Sequence, residues 1–411
     1  ILPLRANLFS RRRTAFRAGG LMLGLYAAMA LFQYFAETQT TLRRVNRYGL
    51  SETRLEIYLS NRLGSEDHLG SVLQFGFLWT YFSDWQRLGR RDTPLEDVPP
   101  EHYALSDDRA LLRNIVVIEV EALDRTIIDF TWQGQPVTPF LNRLAGEYIF
   151  FDNVYAQHSA AGGTSDGDFC FLTSQYPLGY KGSFGAIGLE KLPSLPRILR
   201  SNDYATMVFH ANYGSLYHRS EGSSRLGFEH LYFKSRFNIV DPDRWHTLKD
   251  REFLRQVFDI IASQDEPFFA HIITLSSHSP FDLLGPADYG DTFTLDSPLT
   301  QNYFNTMRYV DAALEMFVNN IMATYPEALI LLYGDHTSNI RRPEYTATTD
   351  PQIQPIPLIM IDPLSPALAR YTRPGTTVDL APTLFDQLGF AAPAFWQGQS
   401  LMNPANPKAP V

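Results

Sequence analysis

Four residues at the ends of apolar runs carry the side chains needed to hold a cation and activate a hydroxyl: Glu121, Thr164, Asp335 and His336. The run Asn114–Glu121 finishes in acids, and a carboxylate at the last position of a central, buried strand needs a partner, most simply a cation. Glu119, two residues earlier, faces the same side, either as support for such a ligand or as an unrelated polar contact. A second hydrophobic run, Leu331-Leu-Tyr-Gly-Asp-His336, ends in Asp335 and His336. Gly334 permits a turn that lets both reach one ion. The third piece, Ala160 to Phe169, passes from small residues into an apolar stretch. There Thr164 and Ser165 are N-cap types, and Asp166 and Asp168 suit a first helical turn. A hydroxyl at the positive end of a helix favours bound phosphate and an ionised nucleophile. Each piece alone has an ordinary structural reading. Their coincidence points to a divalent ion held by oxygen and one imidazole, a donor set suited to hard cations and to Mn²⁺ or Zn²⁺.

These residues need a scaffold that brings distant segments together. After residue 110, short β-rich runs alternate with helical stretches. The strands expected are Asn114–Glu121, Ile149–Tyr155, Ala205–His210, Phe268–Leu275, Ala328–Tyr333 and Pro357–Ile361. Between them helices are expected from Thr138-Pro139, as N-cap and first residue, and over Leu195–Arg200, Asp250–Ala262 and Leu299–Met322. This alternation predicts an α/β fold, a mainly parallel central sheet with helices on both faces, whose ligand site forms at the carboxyl ends of the strands. Gly163-Thr-Ser-Asp-Gly167 also satisfies the nucleophile-elbow pattern G-x-S-x-G, but that elbow requires a strand running directly into the serine, and here a loop of small and polar residues precedes it.

The 411 residues carry 35 Lys+Arg against 44 Asp+Glu, a net charge of −9, which argues against a nucleic-acid partner. A single cysteine, Cys170, excludes intrachain disulfides and multi-cysteine zinc sites. The first seventeen residues hold five arginines and no acid, and Ala18 to Ala36 follow without a charge. Nineteen helical residues reach about 28 Å, roughly the hydrocarbon thickness of a bilayer. We read residues 1–37 as a cytoplasmic edge and a transmembrane helix, with everything beyond on the outer side by the positive-inside bias. A buried core helix is the alternative, since Gly19, Gly20, Gly24 and Gln33 dilute the stretch. Residues 38–110 form a juxtamembrane linker or helical segment, 111–402 the extracytoplasmic domain and 403–411 a loose tail.

Several segments together resemble the extracellular domain of lipoteichoic acid synthases, in the alkaline phosphatase and sulfatase superfamily. They are Thr138-Pro-Phe-Leu-Asn-Arg-Leu-Ala145, Phe151-Asp-Asn-Val-Tyr155, Gly163-Thr-Ser-Asp166, His210-Ala-Asn-Tyr-Gly-Ser215, Leu275-Ser-Ser-His-Ser-Pro-Phe281 and Tyr333-Gly-Asp-His336. The resemblance implies that Glu121, Thr164, Asp335 and His336 bind one Mn²⁺ or Mg²⁺, Zn²⁺ being less suited, and that Thr164 is the nucleophile. It places Arg219, His210, Tyr217 and His278 around the glycerol phosphate group, with His278 as acid for the leaving alcohol or as a hydrogen-bonding contact. Tyr217 stands where the family more often has tryptophan. The activity this resemblance implies is that of a phosphoglycerol transferase of a bacterial cytoplasmic membrane, acting on phosphatidylglycerol through a phosphothreonine and passing glycerol phosphate to a polymer or glycan acceptor. The rivals are a phosphoethanolamine transferase or phosphodiesterase of the same superfamily and a catalytically silent lipid head-group sensor. Sulfate ester hydrolysis does not fit, because Cys170 lacks the C/S-x-P-x-R pattern.

Overall fold

A computed structural model describes residues 112–157, 164–177, 183–185, 188–289, 292–350, 353–365 and 368–403. The uncharged stretch 18–36, the linker 38–110 and nearly all of the tail lie outside the described residues. Among the described residues no helix is long and apolar enough to cross a membrane.

The strands are β1 (Ile115–Val120), β2 (Thr131–Trp132), β3 (Gln135–Pro136), β4 (Ile149–Tyr155), β5 (Ala205–His210), β6 (His230–Tyr232), β7 (Phe268–Ile273), β8 (Leu329–Gly334), β9 (Arg341–Arg342), β10 (Tyr345–Thr346), β11 (Pro355–Ile361), β12 (Arg370–Tyr371) and β13 (Gly375–Thr376). The helices are α1 (Pro139–Glu147), α2 (Thr164–Thr173), α3 (Leu195–Arg200), α4 (Arg219–Leu226), α5 (Asp250–Ile261), α6 (Pro298–Thr324) and α7 (Leu380–Gln387). One sheet has the order β12-β4-β11-β8-β1-β7-β5-β6, with β13 also on β4, and β2-β3 and β9-β10 are small separate hairpins. Every residue of β1, β7 and β8 is buried, as central strands covered on both faces must be.

Register positions the chemistry. β1 lies between β7 and β8, parallel to both, with Glu119 opposite Ile273 on one side and Tyr333 on the other. The carboxyl ends of three neighbouring strands therefore stop at one level and deliver Glu121, Thr274 and Asp335 side by side. On the far side of β7, His210 closes β5 opposite Ile273.

The sheet is mainly parallel, but β11 runs antiparallel to both β4 and β8. No helix separates β8 from β11, only loops and the β9-β10 hairpin, so the chain lacks the crossover a parallel neighbour requires. The register of β11 on β4 shifts between Ile356 and Leu358, where Pro357 has no N–H to donate. A second difference lies at the start of α1. Thr138 makes no side-chain cap, its hydroxyl donating instead to the Ile127 carbonyl, while the buried Asp311 of α6 accepts from the amides of Phe140 and Leu141, both at 2.9 Å.

Asp124, just beyond β1, accepts from Ser338 through its amide and its hydroxyl, both at 2.6 Å, and from Tyr345 Oη at 2.8 Å. It thereby ties the loop after Glu121 to the loop after His336. Asp124→Ala leaves these buried donors without an acceptor, so a destabilisation of about 3–5 kcal/mol is expected in chemical denaturation. A loss below about 1 kcal/mol rules out this tie.

Candidate active site

Glu121 is held by its own backbone: its amide donates to Thr274 Oγ1 at 3.0 Å, and its carbonyl accepts from Ser277 Oγ at 2.5 Å. Asp335 is oriented through one oxygen, Oδ1, which accepts from the amides of Ala122 at 2.8 Å and His336 at 2.7 Å. That leaves Asp335 Oδ2 and Glu121 Oε1 buried without a hydrogen bond of acceptable geometry. His336 Nδ1 lies 2.9 Å from the Thr337 carbonyl, which directs Nε2 inward, 3.1 Å from Glu121 Oε1 and 3.4 Å from Asp335 Oδ2. One donor atom from each of the three residues falls within 4.8 Å of the others. When Nδ1–H donates to the carbonyl, a neutral His336 turns a lone pair toward two carboxylates. A cation at their centre would resolve that repulsion, and two carboxylates with one imidazole are a donor set for a divalent ion.

Gly334 is needed here for a reason other than a turn. Its φ is not left-handed, but a Cβ would run into the Leu123 carbonyl oxygen. Only glycine allows β8 to press against the loop after β1.

Burial and the close approach of the three groups set the charges inside the cage. Burial, then Glu121, pushes Asp335 up to about 8. Burial opposes charge on His336, but Asp335 and Glu121 raise it well above the ordinary range. Glu121, despite burial, is drawn down to about 2 by His278 and His336. Two raised groups must lose protons when a cation enters, so affinity rises with pH through about 8. The same shifts favour folding at low pH: that of Asp335 contributes in full below about 3.8 and fades as pH climbs toward 8, and that of His336 contributes in full below about 6.5 and fades above it. Glu121 works the other way only below about 4.5. We expect Mn²⁺ to raise the melting temperature more at pH 8 than at pH 6, with about 2.7 kcal/mol of stabilisation at a hundredfold excess over Kd. Calorimetry in two buffers of different ionisation enthalpy should show proton release near pH 7, and none released contradicts the cage.

Thr164 is the first residue of α2, and residues Ser165 to Thr173 behind it are all buried. The first turn lies against the cage: a Cβ on Gly167 would sit 3.7 Å from the Asp335 carbonyl oxygen. Ser165, the nucleophile of the elbow pattern, is wholly buried within the helix, and β4 ends at Tyr155. Asp166 Oδ1 accepts from the Ser183 amide at 3.0 Å and hydroxyl at 2.7 Å, which anchors the helix start.

Arg219, 4% exposed, is fixed at two of its three nitrogens. Nε donates to Asp168 Oδ2 at 2.7 Å, and Nη1 lies 3.3 Å from His210 Nε2. Nη2 is buried and has no partner. His210 Nδ1 is 3.0 Å from the Ile273 carbonyl, and burial followed by the Arg219 charge pushes its pKa down to about 3. It is therefore a neutral acceptor whose two ring nitrogens are both engaged within the protein, and it orients Arg219. Tyr217 places its ring 5.9 Å from the Arg219 guanidinium, and it and His218 both adopt left-handed backbone (φ 55° and 56°), a local strain of the kind functional sites tolerate. His278 has Nδ1 2.7 Å from the Ser279 carbonyl, which leaves Nε2 available, and its ring meets Trp245 edge-on at 4.8 Å. The His278 loop is itself held by Asp250, which accepts from the amides of Leu275 and Ser276 at 3.0 Å each.

Beneath the cage lies a polar layer of which sequence reasoning named Glu119, as support or a polar contact, but not the His271 and Tyr333 partners it takes. Glu119 accepts from Tyr333 Oη, lies 3.2 Å from His271 Nε2, and interacts with Asp168. Burial raises both acids, Glu119 to about 7. A local signal passed over was His271 itself, a histidine inside the otherwise apolar Phe268–Ile273. Its partners come from β1 and β8, which no spacing in the chain reveals.

A mainly parallel sheet with an acid–imidazole cage at its strand ends, beside the start of a buried helix, defines an α/β domain of the alkaline phosphatase type. The profile of the Sulfatase family matches residues 113–390, and the chain belongs to that family. Lipoteichoic acid synthase 1 of Bacillus subtilis is 32% identical over 319 residues, covering 71% of this chain and 49% of that protein. Lipoteichoic acid synthase 2 of the same organism is 30% identical over 315 residues, covering 71% and 47%. The chain thus spans about half the length of these curated relatives. Among solved structures, the lipoteichoic acid synthase LtaP from Listeria monocytogenes superposes with a TM-score of 0.63 at 25% identity, covering 73% of this chain and 78% of that one. The lipooligosaccharide phosphoethanolamine transferase A from Neisseria meningitidis, at 15% identity and a TM-score of 0.54, covers 80% and 64% and shares the fold.

Proposed function

We propose that this chain is a metal-dependent phosphoglycerol transferase, anchored in a bacterial cytoplasmic membrane with its catalytic domain outside. It would take glycerol phosphate from phosphatidylglycerol and pass it to a polymer or glycan acceptor. The observation that carries this reading is the meeting of Glu121, Asp335 and His336 within 4.8 Å beside the helix that Thr164 begins. Curated lipoteichoic acid synthases among the relatives support the donor.

Glu121, Asp335, His336 and the Thr164 hydroxyl would hold a divalent ion, which when bound would supply a Lewis acid to lower the pKa of that hydroxyl. Thr164 Oγ1 attacks phosphorus, the bond to the diacylglycerol oxygen breaks, and the leaving oxygen takes a proton from His278 Nε2. Arg219 Nη2, already aimed and desolvated, donates to a phosphate oxygen as charge builds there. In the second half an acceptor hydroxyl attacks the phosphothreonine, its proton passes to His278, and Thr164 is released. His210 and Asp168 take no part in bond making; they hold Arg219. Cys170, buried in α2 with its thiol pushed up by burial, is no alternative nucleophile.

Mass spectrometry after incubation with Mn²⁺ and phosphatidylglycerol tests this reading. Glycerophosphate on the Thr164 peptide is expected. A phosphoethanolamine adduct formed from the corresponding lipid instead reassigns the donor, and no adduct with any phospholipid favours the silent sensor.

A further inference from the structure

The described residues expose eight large hydrophobic side chains, and five of them sit at the pole where the catalytic strands end. Tyr213 and Leu216 follow β5, Val240 and Trp245 lie in the loop after β6, and Ile353 precedes β11, which is antiparallel and so begins at that same end. Trp245 reaches the site itself through its edge contact with His278. Of the other three, Leu364 and Leu368 lie beyond the far end of β11, and Tyr176 follows α2.

Basic residues are interleaved with this rim. Lys234 Nζ stands 4.2 Å over the Tyr213 ring, Arg236 is exposed in the same loop, and Arg244, also exposed, pairs with Asp282 at 2.5 Å. That loop's two acids are committed elsewhere: Asp241 pairs with Lys249 at 2.7 Å, and the buried Asp243 accepts from Trp245, Thr247 and its own turn. On a chain of net charge −9 the rim thus sets the charges of Lys234 and Arg236 beside Trp, Tyr and aliphatic side chains, a combination that seats at a bilayer interface of anionic lipid.

We propose that this rim is the surface the domain lays on an anionic phospholipid bilayer, so that the head-group phosphate enters the site without the lipid leaving the membrane. The choice of a bilayer over a protein partner rests on the lipid donor proposed above.

The test uses the full chain reconstituted in nanodiscs of phosphatidylcholine containing 30% phosphatidylglycerol as about the anionic content of a membrane, with hydrogen exchange compared against the chain in neutral detergent. Peptides spanning 213–218 and 236–246 should slow about fivefold or more, and the peptide over Leu364–Leu368 should not change. Unchanged rim exchange, or protection of the Leu364–Leu368 peptide instead, overturns the proposal. This readout needs no turnover, so it stands or falls apart from the Thr164 adduct. As a second measurement, Val240→Ser with Ile353→Ser should lower transfer from disc-embedded phosphatidylglycerol about tenfold and leave transfer from deacylated glycerophosphoglycerol within about twofold. Equal losses on both substrates contradict a membrane role.

Discussion

Replacing Thr164 with alanine abolishes the covalent adduct and lowers turnover by about 10⁴-fold or more, because the loss of a nucleophile cannot be shared among the remaining groups. The fold should be unaffected, since alanine favours the first turn of a helix whose following residues are already buried. Thr164→Ser keeps the hydroxyl and should keep the adduct at a reduced rate. Rapid-quench mass spectrometry on the three proteins measures both adduct and rate. An alanine variant that still forms a phosphorylated peptide in the α2 segment transfers the role of nucleophile to another residue.

The next largest effect is expected at Arg219. Lysine preserves the charge but has one compact ammonium, which cannot bond Asp168 and also present a second nitrogen to phosphate, as Nε and Nη2 of the guanidinium do. Losing one preorganised donor should lower kcat/KM by about 10²–10³-fold. Arg219→Met should add a stability cost of about 3–5 kcal/mol, because Asp168 and Glu119 are then buried together without their cation. Steady-state kinetics with separate kcat and KM, alongside urea denaturation, distinguish the two losses. Arg219→Lys kinetics within twofold of the parent contradict the phosphate contact.

How far the sequence was legible depended on the range of the interactions involved. Strands β4 and β5 and helix α3 fall where their local apolar patterns and flanking residues predict. The clustering of Glu121, Asp335 and His336 was legible because a hydrophobic run ending in acids is a local pattern, and a parallel sheet aligns such ends. Other features depend on partners far along the chain. The cap on α1 comes from Asp311 rather than Thr138, and the need for Gly334 comes from Leu123 across the sheet. Asp168 reads as an ordinary first-turn acid until α4 brings Arg219 to it, and His210 reads as a substrate contact until that same arginine occupies it. The reversal of β11 was implicit in the absence of a helix between it and β8, a weaker signal than the alternation elsewhere.

The burial of α2 from Ser165 to Thr173 has a consequence for the order of events. A helix enclosed in a close-packed interior cannot swing, so the residue at its tip cannot ferry its cargo from one place to another. In the reaction proposed above, donor and acceptor would therefore visit the same spot in turn. With the phosphothreonine proposed above, a stationary tip of this kind would make the cycle a substituted-enzyme, ping-pong one.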